Sequence, residues 1–557
     1  MRLLNIVENG VFFSLLFCIA LFQKWTLDSD GWFILNSGRL IEESGLPYSE
    51  PFTMHKGLDF VLEQWLTDIL YWNVFSTFGK EALLTLVFLI GCLIIFLYYR
   101  IGMLITNQNK PASFLLSVCT SLLFVPYFIV TRPQILSSML LLLEIYCLES
   151  YIQSKKRLYL FLLPVIALLL VNLHSAIFPM CFILLLPYIA EGMLSHVNSS
   201  LFQKTFSLSL LLKTSVLMFF VGFLNPYGWD AMSFVFVSYD SEIHQNIMEC
   251  APSTLDKSYF LFFYICLSIV SCSLVRMPVR YIFLSLGTAI MALMAIRSQF
   301  LFVLFGTYPI LYALKNWVPF NLYQEVMDEG KKVSFGKKAL IILLNLVFLC
   351  ACIYLFSMDW LERFPVVALL VIGLSIFFSI LYILFFKKHT KQFFHINLKY
   401  ILLPILCVIF LFFAKYYDKQ MVDSTEEEYK EAIDFLIEEK ENNQKEIVLW
   451  TGMNSGAYAE YRGFEVYFDA RPEVFAPSNH HQGEERNIAK EYFGTRKDLI
   501  DYDSIFKKYH ITHILVTPGD IAPYISLPHD SRYRMIYEGK DKNGEVNCRI
   551  FVPIQPL

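Results

Sequence analysis

Long apolar runs separated by short polar interruptions fill roughly the first four hundred positions of this chain. A bilayer-spanning helix needs about 20 mostly apolar residues. Scanning for such runs predicts thirteen spans, starting near residues 9, 81, 112, 134, 158, 176, 206, 258, 280, 299, 339, 364 and 400. Two boundaries are thin. Only Asn172-Leu-His174-Ser175 divides the fifth span from the sixth, and only Arg297-Ser-Gln299 divides the ninth from the tenth. The first run, Val11 to Phe22, follows Arg2 as a secretion signal would. It reads on into Gln23-Lys-Trp25 with no small-residue cleavage site, so it is expected to remain as a span.

Two stretches depart from this pattern. The first is a long polar connection, about residues 27–80, between the first and second spans. It holds Asp28, Asp30, Glu42, Glu43, Glu50, Asp59, Glu63 and Asp68. The second is the tail, 418–557, which follows a membrane region of 1–417. Ser424-Thr-Glu-Glu-Glu428 is a capping-box start, and Tyr429, Ile433 and Leu436 follow at helical spacing. The runs Ile447–Trp450, Val466–Phe468 and Ile514–Val516 read as strands, with a helix over Tyr502 to Tyr509 between the last two. Strands alternating with helices predict a small α/β domain. The turn Trp450-Thr-Gly-Met-Asn-Ser-Gly456 matches no nucleotide-binding fingerprint.

Basic residues orient the spans. With the N-terminus in the cytoplasm, the inner connections hold eighteen Lys and Arg, Arg280 among them, and the outer ones eight. An odd number of spans then places the acidic connection and the tail together on the extracellular side of a plasma-membrane protein. Composition agrees: 56% of residues are hydrophobic and only 17% charged, against about 25% charged in soluble domains. A net charge of -4 gives no argument for nucleic acid. Of the twelve cysteines only Cys250 and Cys548 are expected on the solvent side, without a disulfide between them and without metal-type spacing.

Four polar groups fall where outer connections meet spans. Asp28 and Asp30 can cap a helix, act as a general base, or share a divalent cation such as Mg or Mn through oxygen ligands. Arg132, in Thr131-Arg-Pro-Gln134, and Arg297 lie in short outer connections against the positive-inside bias. They either snorkel or pair with acids, or grip a lipid phosphate with their forked guanidinium groups. Asn172 and His174 suit an interhelical hydrogen bond, with a phosphate contact or metal ligation as the alternatives for His174, and Asn225-Pro-Tyr-Gly228 ends the seventh span with a turn.

Asp28-Ser-Asp30-Gly-Trp32, Gly38-Arg-Leu-Ile41, Gly45-Leu-Pro47, Glu50-Pro-Phe-Thr53 and Glu63-Gln-Trp-Leu66 resemble the first outer loop of bacterial GT-C glycosyltransferases. Thr131-Arg-Pro-Gln134, Asn172-Leu-His174, Asn225-Pro-Tyr-Gly228 and Val466-Tyr-Phe-Asp-Ala-Arg471 fit the same group. The resemblance implies a polytopic helical membrane fold and transfer of a sugar, with inversion, from a polyprenyl phosphate or diphosphate to a glycan, lipid or protein acceptor. By position it implies Asp30, then Asp28, as base or metal ligand. Glu50, Glu63, Trp65, Gln134, Asn172, His174 and Asn225 would contact substrates, and Arg132 and Arg297 would hold the donor phosphate. The chain departs from the pattern after Trp32, where Phe-Ile-Leu-Asn36 stands in place of an expected histidine. Two other classes fit the same pattern: a flippase for lipid-linked glycans, which would need charged or broken helices at the midplane, and a non-catalytic scaffold whose tail binds a partner.

Overall fold

The computed structural model describes residues 19–197, 206–237, 243, 245–316, 425–444, 446–477, 487–541 and 544–555. The expected spans near 339, 364 and 400 lie outside these residues, as does most of the first. The spans expected from 81 to 280 are helices: α3 (Lys80–Ile105), α4 (Lys110–Phe128), α5 (Pro133–Ser154), α6 (Leu158–Leu173), α7 (Phe178–Val197), α8 (Leu208–Val221), α10 (Leu255–Leu274) and α11 (Val279–Met294). Four of the described helical stretches, those over α3, α4, α5 and α7, are long and apolar enough to cross a membrane. Leu89, Phe161, Leu186 and Phe220 stand exposed on the outside of this bundle, as side chains facing lipid would. The tenth expected span is broken: a π-helical turn, Phe302–Gly306, precedes α12 (Tyr308–Ala313), and the Ser268 hydroxyl donates to the freed Gly306 carbonyl at 3.2 Å.

The acidic connection is not an open loop. It folds into α1 (Ser29–Ser44) and α2 (Trp65–Phe78), which cross closely at Gly38. Trp32 to Gly38 are buried on every side of α1. The polar residues that suggested a loop are mostly at its ends and in the 45–64 link. Gly79, at φ 87°, turns the chain from α2 directly into α3, a conformation open to glycine at little cost. A short helix, α9 (Trp229–Val237), follows the Asn225 turn.

The tail holds a four-stranded mixed sheet of order β1-β2-β4-β3: β1 (Leu449–Trp450), β2 (His513–Val516), β3 (Tyr533–Lys540) and β4 (Val546–Pro553). β1 runs parallel to β2, and β3 and β4 form a bulged antiparallel hairpin. The expected helix is present as α13 (Thr425–Asn443), burying Tyr429, Ile433 and Leu436. Three helices not read from the sequence follow, α14 (Gly456–Tyr461), α15 (Ile488–Arg496) and α17 (Ile521–Ser526), and the helix expected over Tyr502 to Tyr509 is α16 (Tyr502–Lys508). Val466–Phe468 is not a ladder strand. Val466 makes single parallel bridges to Leu449 on one side and to Thr53 on the other, so the connection between α1 and α2 adds a rung beside the tail sheet. Cys548, expected on the solvent side, is 1% exposed on β4 because its side chain fills the space above Gly539. Cys250 and Cys548 are both free thiols.

Arg471 closes the joint between tail and connection. Its Nη2 donates to Glu50 Oε1 at 2.8 Å and its Nε to Asp469 Oδ2 at 2.9 Å. Its guanidinium lies over the Phe33, Phe52 and Phe60 rings at 4.5, 5.3 and 5.3 Å. Trp32 packs on Tyr458 and Tyr461 of α14 at 5.0 and 4.7 Å, and His55 Nε2 meets the Tyr467 carbonyl at 2.8 Å. Ser29 Oγ donates to the Met453 carbonyl at 2.9 Å, which brings the glycine turn of the tail beside Asp30.

Candidate active site at the helix ends

The N-terminus of α1 builds the centre of the site. Asp28 is its N-cap: Oδ1 accepts from the Gly31 N–H at 2.9 Å, satisfying one of the unpaired amides of a first turn. Its other oxygen meets Arg132, with Nη2 at 2.8 Å and Nε at 2.9 Å. Asp30 Oδ2 also lies 2.9 Å from Arg132 Nε. Arg132 sits immediately before α5 and reaches a third acid, Glu249 of the 248–250 turn, at 3.5 Å. The sequence placed these aspartates and this arginine on one face. The structure joins them in one ion cluster.

A second group lies alongside. Glu63, at the entry to α2, feels Glu473, Arg297 and Asp30 electrostatically and accepts from the Ala176 amide, while its Oε2 is buried without a hydrogen-bond partner. Glu473 belongs to the tail, in the 3-10 turn Pro472–Phe475 directly after Arg471. Arg297 acts on Glu63, His174, Cys250 and Glu473. His174 caps the end of α6 and hydrogen-bonds Ser137 Oγ through Nδ1 at 2.7 Å.

Acids outnumber bases here: Asp28, Asp30, Glu63, Glu249 and Glu473 against Arg132 and Arg297. Burial pushes Asp30 up to about 7. Arg132 pulls it down, but the neighbouring carboxylates Asp28, Glu249 and Glu473 work with burial. The Asp30 side chain keeps 35% of its surface exposed, yet protein on its other sides removes enough water for burial to dominate. Glu63 is raised further, to about 8, by burial and then by Glu473. Glu473 is itself raised by burial, and so is Asp68, with Glu63 as the second cause. His174 is lowered to about 3 by burial and by the Arg297 charge, so its ring is neutral. Two carboxyls titrating near neutrality and acting on each other electrostatically mark a candidate acid–base site.

The remaining expected residues hold the frame. Trp65 Nε1 donates to Asn172 Oδ1 at 3.1 Å, and Asn172 Nδ2 donates to the Leu224 carbonyl at 3.0 Å. Thr67 Oγ1 donates to the Leu173 carbonyl at 2.6 Å, and the Ser175 amide to the Glu63 carbonyl at 2.8 Å. These bonds stitch α2 to the α6–α7 junction and fix Glu63. Asn225 bonds within its own turn, to the Gly222 and Gly228 carbonyls and the Tyr227 amide. Glu50 is consumed by Arg471 and by the Phe52 and Thr53 amides, away from the ion cluster. Gln134 is half-buried in the first turn of α5. Glu249 and Glu473 were not read from the sequence. For Glu473, the only signal was its place two residues after the Arg471 motif.

The Asp28/Asp30 pair does not fit a divalent cation as arranged here, because Arg132 occupies the space between the two carboxylates. Among the described residues, no group of three or more His, Cys, Asp or Glu side chains is placed to hold a metal ion.

No family model matches the chain, and no curated protein matches it. Solved structures do. The archaeal oligosaccharyltransferase AglB from Archaeoglobus fulgidus, in complex with an inhibitory peptide and a dolichol-phosphate, superimposes with a TM-score of 0.54 at 11% identity, covering 96% of this chain and 74% of that one. ArnT from Cupriavidus metallidurans bound to undecaprenyl phosphate gives 0.48 at 10% identity, covering 99% and 97%. The likeness to AglB is one of fold. With its helices of membrane-spanning length, the chain is an integral membrane protein.

Proposed function

We propose that this chain is a membrane glycosyltransferase that moves a sugar from a polyprenyl phosphate or diphosphate to an acceptor on the extracellular side, with inversion at the sugar carbon. The observation that carries the reading is the cluster at the start of α1, where Asp30 titrates near 7 beside the Arg132 guanidinium that precedes α5. A base with a pKa close to the working pH is ionised often enough to act and basic enough to take a proton. Asp30 is therefore the base that deprotonates the acceptor hydroxyl as its oxygen attacks the anomeric carbon. The C–O bond to the donor phosphate breaks on the opposite side, and the phosphate leaves with the electron pair.

Asp28 is tied to the helix cap and to Arg132, so it holds the arginine rather than the acceptor. Arg132 and Arg297 receive the phosphate. A phosphate that engages the Arg132 fork takes part of the guanidinium's charge away from Asp30 and leaves that carboxylate free for the acceptor. Glu63, protonated at neutral pH, donates a hydrogen bond to the sugar. AglB was captured with a dolichol-phosphate, which supports a polyprenyl carrier here. No step is routed through a metal. A cation in this site would first have to displace Arg132.

The test is transfer from a radiolabelled polyprenyl-phosphate sugar in membranes. Asp30→Asn should lose activity by at least about a hundredfold, the usual weight of a general base, while accumulating as folded protein. Wild-type rates in Asp30→Asn would end the assignment.

A further inference from the structure

Three helices carry polar site residues at one end and a charge at the other, with the same spacing in each. α5 follows Arg132 and holds Glu149, the stretch leading into α7 starts at His174 and reaches Glu191, and α11 starts around Arg280 and leads to Arg297. Each pair lies seventeen positions apart in sequence, ~25 Å at 1.5 Å per residue. Arg132, His174 and Arg297 share the site end. Glu149, Glu191 and Arg280 meet at the far end.

Their meeting is tight. Arg280 Nε donates to Glu149 Oε1 at 2.9 Å and Nη1 to Glu191 Oε1 at 2.6 Å. The Arg280 backbone amide donates to Glu191 Oε2 at 3.0 Å. Tyr188 and Tyr281 each donate their hydroxyl to Glu149 at 2.9 Å, and the guanidinium lies 4.5 Å from the Tyr281 ring. All three charged residues are buried. Arg280, expected from sequence in a cytoplasmic connection, is drawn into the bundle by these two carboxylates. Helices in lipid gain little from apolar contact with one another, so polar contacts and close packing decide how they stand. A buried ion group of this kind contributes arrangement more than stability.

We infer that Arg280, Glu149 and Glu191 form a clasp that fixes the far ends of α5, α7 and α11 and thereby sets the separation of Arg132, His174 and Arg297 at the site. They are positioning residues. The functional half of this inference rests on the transferase reading, whereas the structural half stands apart from it.

The experiment uses the full chain in nanodiscs. Bio-orthogonal spin labels at Ile183, midway along α7, and at Met294, at the site end of α11, both outward-facing, report their separation by pulsed electron resonance. Three variants are compared: Arg280→Gln; Arg280→Lys, whose single ammonium cannot fork two carboxylates; and the charge-free Arg280→Gln/Glu149→Gln/Glu191→Gln, which leaves no buried charge unpaired if the first fails to fold. The distance distribution should broaden about twofold in each glutamine variant and less in Arg280→Lys. The donor KM should rise about tenfold with kcat changed less than about threefold, the pattern of lost donor placement rather than lost chemistry. An unchanged distribution in the folded triple variant overturns the clasp, and so does a broadened one with an unchanged KM. If the wild type transfers no sugar, the transferase reading falls while the distance measurement still decides whether the clasp sets the spacing.

Discussion

Asp28 and Asp30 stand two positions apart and have different tasks, which their surroundings assign. Asp28 caps α1 and accepts from two nitrogens of Arg132, while Asp30 shares one of them and stays partly open. Position after the first span was enough to nominate both from sequence. It could not separate them, because capping and pairing depend on where α1 starts and where α5 begins a hundred residues later. With Asp30 raised to about 7 and Glu63 to about 8, kcat/KM should rise through about pH 7 as Asp30 ionises and fall above about 8 as Glu63 loses its proton. Glu63→Gln keeps a neutral hydrogen-bond donor. It should therefore retain activity within about threefold at pH 7 and lose the alkaline limb of the profile. A profile in Glu63→Gln that still falls above about 8 removes Glu63 from this role. The same shifts have a stability sign. Both carboxyls bind protons more tightly folded than unfolded, so their ionisation weakens the fold as pH rises from the ordinary carboxylate range, about 4, through 8.

At the scale of elements, the spans that fall among the described residues were legible because a 3.6-residue period is unnecessary in lipid and bulk hydropathy suffices. α1 and α2 were not. Their acids and turn residues read as a loop, yet Trp32 to Gly38 are buried because α1 is wedged between α2 and the tail helix α14. That burial comes from partners distant in sequence. β3 and β4 escaped for a related reason: Tyr533–Lys540 mixes charged and apolar residues because only some of its positions face the core. Gly38 is the contact on which the α1–α2 crossing depends. A Cβ there would strike the Asp68 carbonyl and Trp72. Gly38→Ala should cost about 1–3 kcal/mol by overpacking and should lower the melting temperature in detergent. It should also lower transfer activity, because α2 carries Glu63 at its entry. An unchanged melting temperature would show that the two helices can part at no cost.

At the scale of the molecule, the tail is part of the site rather than an appendage to it. The sequence divided the chain at about residue 417 and noticed both Glu50-Pro-Phe-Thr53 and the Arg471 motif, but it could not tell that the two motifs bind each other. Arg471 lies in a cage of three phenylalanines from the first connection with Glu50 and Asp469 as its anions, and the next turn presents Glu473 to Glu63 and Arg297. Glu460 lies 3.7 Å from the same guanidinium, and burial and the neighbouring Asp469 push its carboxyl up while Arg471 pulls it down. Removing the cation leaves Glu50 and Asp469 buried without their partner, a change that costs about 3–5 kcal/mol when one member of a buried pair is lost. Arg471→Gln should therefore loosen the docked tail locally while the membrane helices hold. Hydrogen exchange should accelerate in the 466–475 segment and in α1, with α3 and α5 unaffected. Transfer should drop because Glu473 no longer faces Glu63. Glu473→Gln separates the two effects. It leaves the Arg471 joint intact and removes one carboxylate from beside Glu63, so it should move the alkaline limb of the pH profile to lower pH without changing exchange in α1. If Arg471→Gln leaves exchange in α1 at its wild-type rate, the tail is held by its aromatic contacts alone, and Glu50 and Arg471 have no part in placing Glu473.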